Sequence, residues 1–146
     1  MIGAIALNCI EDIEAKVASV PNIPRARVFH VYSEEELIER TKGLGFPCVG
    51  VVYDGLRATP EPGATSKIGG SAELVVTVIL FFRQDTKAKI DPKDSVVATL
   101  DAIREKILKT KSPSGHFWKF QVEAAVEGKT GLLAYVQRWA TPVQLV

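Results

Sequence analysis

The sequence predicts a single α+β domain: a two-layer sandwich of mostly antiparallel β-sheet, with two main helices packed on one face and one long hairpin loop. Three observations lead there. Segments 2–17 and 91–113 each place apolar side chains at three- and four-residue spacing, the signature of a helix with one buried face. Several strand-like segments follow one another through turn-like links, as antiparallel hairpins do. Between two of those segments lies RATPEPGATSKIGGSAE, residues 57–73, longer than the connections usual in a compact domain. Neither an internal repeat nor a linker divides the 146 residues, so one domain is expected over 1–146.

The first helix carries Ile2, Ala6, Cys9, Ile10, Ile13 and Val17 on one side and Glu11, Asp12, Glu14 and Lys16 on the other. Pro21 and Pro24 end it. A short strand is expected over 27–32, with Phe29 and Val31 facing the same way. Ser33 followed three residues later by Glu36 fits a capping box for a helix of about two turns. Leu37 and Ile38 would turn inward, and Gly43 or Gly45 would stop the helix. PCVGVVYDG then reads as a strand, its Gly50 marking a bulge or a close backbone approach.

Residues 72–83 form the strongest strand signal. One face holds Ala72, Leu74, Val76, Val78, Leu80 and Phe82; the other holds Glu73, Val75, Thr77, Ile79, Phe81 and Arg83. A strand wetted on one side alternates with polar residues. Here Val75, Ile79 and Phe81 break that alternation, so the second face is expected to be covered by something beyond the domain's own core. In the second main helix Asp91 fits the N-cap, Pro92 the first helical position, and Asp94 the negative charge favoured in the first turn. Its predicted stripe is Val96, Val97, Leu100, Ile103 and Ile107, with Lys106, Lys109 and Lys111 at the C-terminal end before Pro113. HFWKFQVEAAVEGKTGLLAYVQRWATPV reads as two strands joined by a turn at 127–130. Trp118, Phe120 and Val122 alternate there with a wet face of Lys119, Gln121 and Glu123.

The chain is 47% hydrophobic and 24% charged, and its formal net charge is +1. That balance argues against nucleic-acid binding through a bulk positive field. Cys9 and Cys48 sit in apolar surroundings without a CxxC spacing, so they are read as buried thiols. Residues 74–82 are too few to span a bilayer as a helix, and no positively charged segment opens the chain ahead of an apolar run. Neither a membrane nor a secretory signal is therefore expected.

The search for catalytic chemistry returns no enzyme. Gly63 and Gly69 flank Lys67, but a phosphate loop needs its lysine after the second glycine and a helix following it. His30 and His116 have no ligand-spaced companions, so neither metal nor cofactor is expected. No nucleophile elbow is present. Glu73 and Glu123 would have to converge in one pocket to act as an acid–base pair. Arg138 and Trp139 could stack on each other, or Arg138 could bind a carboxylate such as Glu123.

With its elements in this order, the chain resembles the tail terminator (tail completion) proteins of long-tailed bacteriophages. The resemblance rests on VVATLDAIREKIL followed by HFWKFQVEAAVEGKTGLLAYVQRWATPV, above all YVQRW, and on GGSAELVVTVILFFR after a long glycine-rich loop. It extends to the opening amphipathic helix. It implies a non-enzymatic virion subunit, made in the host bacterial cytoplasm, that forms a hexameric ring on the head-proximal end of the tail tube. Such a ring stops tube polymerisation and offers the surface that joins the head. Implied partners are further copies of the chain, the tail tube protein and a neck or head-completion protein, and DNA passes through without sequence-specific binding. On this reading Arg57, Thr59, Glu61, Thr65, Lys67 and Ile68 are assembly-loop candidates. Glu73, Val75, Ile79, Phe81, Arg138 and Trp139 are the subunit-interface candidates. Another phage neck ring protein, or a small cytosolic ligand-binding α+β domain with a deep polar pocket, remains open on the residues alone.

Overall fold

The computed structural model describes residues 2–41, 47–58, 71–83, 92–126 and 132–145. Helix α1 (Ile2–Ala18) leads through a 3-10 turn (Arg25–Arg27) into strand β1 (Val28–Val31). Helix α2 (Glu34–Thr41), strands β2 (Cys48–Ala58) and β3 (Ser71–Arg83), helix α3 (Pro92–Lys109) and strands β4 (Lys119–Val126) and β5 (Leu132–Gln144) follow. The strands make one sheet in the order β1-β2-β3-β5-β4. Among the described residues β1 and β2 run parallel, and the pairs β2–β3, β3–β5 and β4–β5 are antiparallel. This is the predicted α+β architecture, with α1 and α3 packed together on one face of the sheet.

β3 and β5 form the spine. They pair from Ser71↔Gln144 to Arg83↔Leu132 with no register shift. Because strand side chains alternate, Ala72, Leu74, Val76, Val78, Leu80 and Phe82 all point at the helices, where each is buried. From α1 they meet Ala6, Cys9, Ile10, Ile13 and Val17, and from α3 Val96, Leu100, Ile103 and Ile107. Val97, expected in the α3 stripe, is instead 58% exposed, and Thr99 takes a buried place. A helix advances about 100° per residue, so position 97 rotates off the 96–100–103–107 line. Thr99 is satisfied there, donating to Ser95 O at 2.8 Å and accepting from Asn22 Nδ2 at 3.0 Å.

One polar knot fastens α1 to the segment after α3. Asp12 pairs with Lys16 at 2.8 Å and accepts a hydrogen bond from the indole Nε1 of buried Trp118 at 2.9 Å. Lys16 donates onward to Thr110 O at 3.1 Å and Lys111 O at 3.4 Å, placing a cation at the negative end of the α3 dipole. A second polar group lies under the helices. Gln137, 1% exposed, donates to Leu100 O at 3.0 Å and to Glu123 Oε1 at 2.7 Å, so its buried amide is partnered.

Three local expectations are corrected. The capping box at α2 forms in one arm only: Glu36 N donates to Ser33 Oγ at 3.2 Å, while the Glu36 carboxylate accepts from Tyr32 N rather than from Ser33 N. The β2 irregularity falls between Tyr53 and Gly55, not at Gly50, which pairs regularly with Ile79. In β4 a register shift between Phe120 and Val122 reverses the alternation. Phe120 therefore pairs with Trp139 toward the helices, Val122 pairs with Arg138 on the opposite face, and Glu123 turns inward to Gln137. Asp91, Gly43, Gly45, the turn at 127–130 and the side chains of Ile2, Leu37, Ile38 and Asp94 lie outside the described residues.

The two helical stripes can be separated by mutation. Ile103→Ala should cost about 2–5 kcal/mol in urea unfolding, as core truncations do. Val97→Ala should stay within about 0.5 kcal/mol, as exposed substitutions do. Equal effects would contradict the observed rotation of α3.

Candidate functional site

The face of the sheet away from α1 and α3 changes character along its length. At one end Val31, Cys48, Ile79, Phe81 and Ala134 form a second buried apolar cluster. Helix α2 lies on this side, since Arg40 stands over the ring of Phe29 at 5.5 Å and Phe29 packs against that cluster. Val75, Ile79 and Phe81 are 7%, 8% and 2% exposed within the single chain. These three interface candidates, expected to be covered in part by a neighbour, are thus already sheltered by the chain itself.

At the other end the face is charged, and the bulge in β2 builds it. Gly55 adopts φ +110°, a region L-residues rarely enter, and so lets the chain take in one extra residue, Asp54. Asp54 turns onto the second face, accepts a hydrogen bond from Thr77 Oγ1 and pairs with Arg138 Nε at 3.5 Å. One step toward the end of the sheet, Glu73 binds Arg57 Nη2 at 2.8 Å and Lys119 Nζ at 3.6 Å. The anions are set low and the cations stand high. Arg57, Lys119 and Arg138 side chains are 56%, 60% and 51% exposed, against 15% for Glu73 and 30% for Asp54. A shallow cleft of about 330 Å³ lies here, lined by Asp54, Gly55, Leu56, Arg57, Val75 and Arg138. The surface it presents is cationic.

Electrostatics follow from this arrangement. The Arg57 hydrogen bond holds the Glu73 carboxyl below its ordinary value, burial opposes that, and the charges of Lys119 and Arg57 add to the lowering.

The remaining expectations sort by position. Arg57, expected in the assembly loop, belongs to β2 and pairs with Glu73 across the ladder. Thr59, Glu61, Thr65, Lys67 and Ile68 lie outside the described residues. Trp139 is 0% exposed in the helix-facing core, so it is corrected from interface to core residue. Arg138 points to the opposite face, so the two do not stack, and its carboxylate is Asp54 instead of Glu123. Glu123 faces the helices, bound by Arg104 and Gln137, whereas Glu73 faces away. The two glutamates therefore do not converge. Sequence reasoning missed Asp54 and Lys119; the Asp-Gly pair inside a strand was the available signal for the first.

Elsewhere the chemistry is quiet. Cys9 and Cys48 are buried and form no disulfide. Burial, with help from Asp12 and against Lys16, pushes the Cys9 thiol up to about 11, and burial also raises that of Cys48. Both therefore stay protonated and poorly nucleophilic near neutrality. Among the described residues no cluster of His, Cys, Asp and Glu could hold a metal ion, and no helix is long and apolar enough to cross a membrane. An apolar groove of about 250 Å³ lies between the start of α1 and β1–β2, with Leu7, Ile10, Tyr32 and Tyr53 in its lining. The Nε2 of His30, which also lines this groove, is buried and has no hydrogen-bond partner among the described residues.

The Glu73 cluster makes acid stability a test. Because folding lowers the Glu73 pKa, its contribution is complete above the ordinary carboxylate range and disappears as pH falls through the depressed value. Urea midpoints of the wild type and Glu73→Gln should differ most near pH 7 and converge on acidification. A gap that holds constant down to pH 2 would show that the carboxylate is not held by Arg57 and Lys119. Compared with known proteins, the chain matches no family model and no curated protein.

Proposed function

We propose that this chain is a structural subunit of a phage virion: a tail terminator that caps the head-proximal end of the tail tube as a ring and offers the head-joining surface. The observation that carries this reading is where the charged end of the sheet lies. Residues 59–70 leave β2 at Ala58 and return to β3 at Ser71, next to the rung that holds Arg57, Glu73 and Lys119. β5 finishes at the same end, where Gln144 pairs with Ser71. The exposed cations and the ends of β2 and β3 that flank residues 59–70 thus share one end of the sheet, which suits an assembly contact held on regular elements.

The resemblance through YVQRW, the long β3 and the opening helix supports the same reading, and the α+β fold is the one it implies. Within YVQRW, Gln137 and Trp139 brace the helix-facing core, whereas Arg138 stands on the charged face. The motif thus joins a rigid core to an outward cation. Cytosolic synthesis and incorporation into the tail and neck follow from the role. DNA traverses the ring without base-specific contacts.

The runner-up of a ligand-binding domain expects several polar groups converging in a deep pocket. Among the described residues the apolar groove offers His30 Nε2 as a buried polar atom without a partner, and the charged cleft is open and shallow.

Sedimentation of the purified chain over a wide concentration range tests the reading. A discrete ring-sized species should grow in at high concentration, and deletion of residues 59–67 should leave the subunit folded while impairing joining to tails. A monomer at every concentration, or a deletion variant that joins tails normally, would count against it.

A further inference from the structure

We propose that the cationic end of the second face docks helix α2 of another copy of this chain, with Glu35 and Glu39 of one copy meeting Arg57, Lys119 and Arg138 of the next. This contact rests on the ring reading and specifies its subunit interface. Among the described residues three cations surround two carboxylates at that end, and the cations are the more exposed partners. A guanidinium carries five N–H donors in a fork, so pairing with one carboxylate leaves Arg57 and Arg138 able to receive a second. The shallow cleft that Arg57 and Arg138 line also holds Val75 and Asp54.

The complementary surface is on the same chain. Glu35 and Glu39 lie four residues apart on α2, hence on one side of that helix, and both are exposed. Arg40 lies over Phe29 of β1, which places α2 beside the β1 edge of the sheet. Lys119 opens β4, the opposite edge. Acid at one edge and cations toward the other form two different patches on one chain. Such a pair repeats head to tail, and a repeated head-to-tail contact closes into a ring when its rotation permits. Opposite charge speeds the encounter and fixes the register.

Two charge-reversed full-length chains test the contact: Lys119→Glu/Arg138→Glu and Glu35→Lys/Glu39→Lys. Analytical ultracentrifugation should show self-association of the wild type that weakens with added salt. Each reversed chain alone should associate at least about 10-fold more weakly, since like charges then face each other. An equimolar mixture should regain association, because every reversed cleft then meets a reversed helix and every native cleft a native one. Lys119→Gln/Arg138→Gln should fall between wild type and reversal, which guards against misfolding of the reversed chain. Wild-type association matched by both reversed chains would overturn this contact while leaving the ring reading in place. A wild type that never associates would overturn both. Loss of duplex-DNA retention in Lys119→Glu/Arg138→Glu, with self-association unchanged, would assign the cations to nucleic acid and overturn the docking of α2.

Discussion

Strand β3 is apolar on both faces, and the rest of the molecule is arranged around keeping it dry. Its full-length pairing with β5 satisfies one backbone edge, and β2 satisfies the other. α1 and α3 cover the side that carries Leu74, Val76, Val78 and Leu80. On the other side Ile79 and Phe81 are enclosed with Val31, Cys48 and Ala134. A substitution that shifted the β3 register by one residue would exchange these two sets and place Glu73 and Thr77 under the helices. The long uninterrupted β3–β5 register prevents that exchange.

The charged end of the second face exists because the apolar end is closed. With Ile79 and Phe81 already sheltered, this face can carry Thr77, Glu73 and Ser71 on either side of buried Val75 without exposing the core. The bulge at Gly55 then adds Asp54, which fixes the orientation of Arg138 through a partly buried carboxylate. Glu73 does the same for Arg57 and Lys119. Cations held in this way lose less side-chain freedom on meeting a partner than unrestrained ones, which favours binding. The link from fold to proposed function runs through this orientation.

The helices, the β3 faces and the final hairpin were legible because period-3.6 and period-2 apolar patterns dominate those segments. The failures occur where one residue shifts the phase. Gly50 and Gly55 are equally plausible bulges in a string of letters; the neighbouring strand decides which one breaks register. The shift after Phe120 turned the apparent wet face of β4 around, carrying Glu123 inward to Arg104 and Val122 outward beside Arg138. Trp139 is grouped with Arg138 among the interface candidates, yet adjacent strand residues point to opposite faces and Trp139 is buried under the helices. Val97 read as core because it is apolar and adjoins Val96. The partners of Arg138 and Lys119 come from strands distant in sequence, and no local pattern encodes them.

On the proposed function, this sheet presents an assembly surface that terminates a tail tube, and electron microscopy of the purified chain mixed with tail tubes is the decisive measurement. Rings seated on one end of each tube, with uniform tube lengths, are expected. Tubes left bare at both ends, or coated along their sides, would rule the role out.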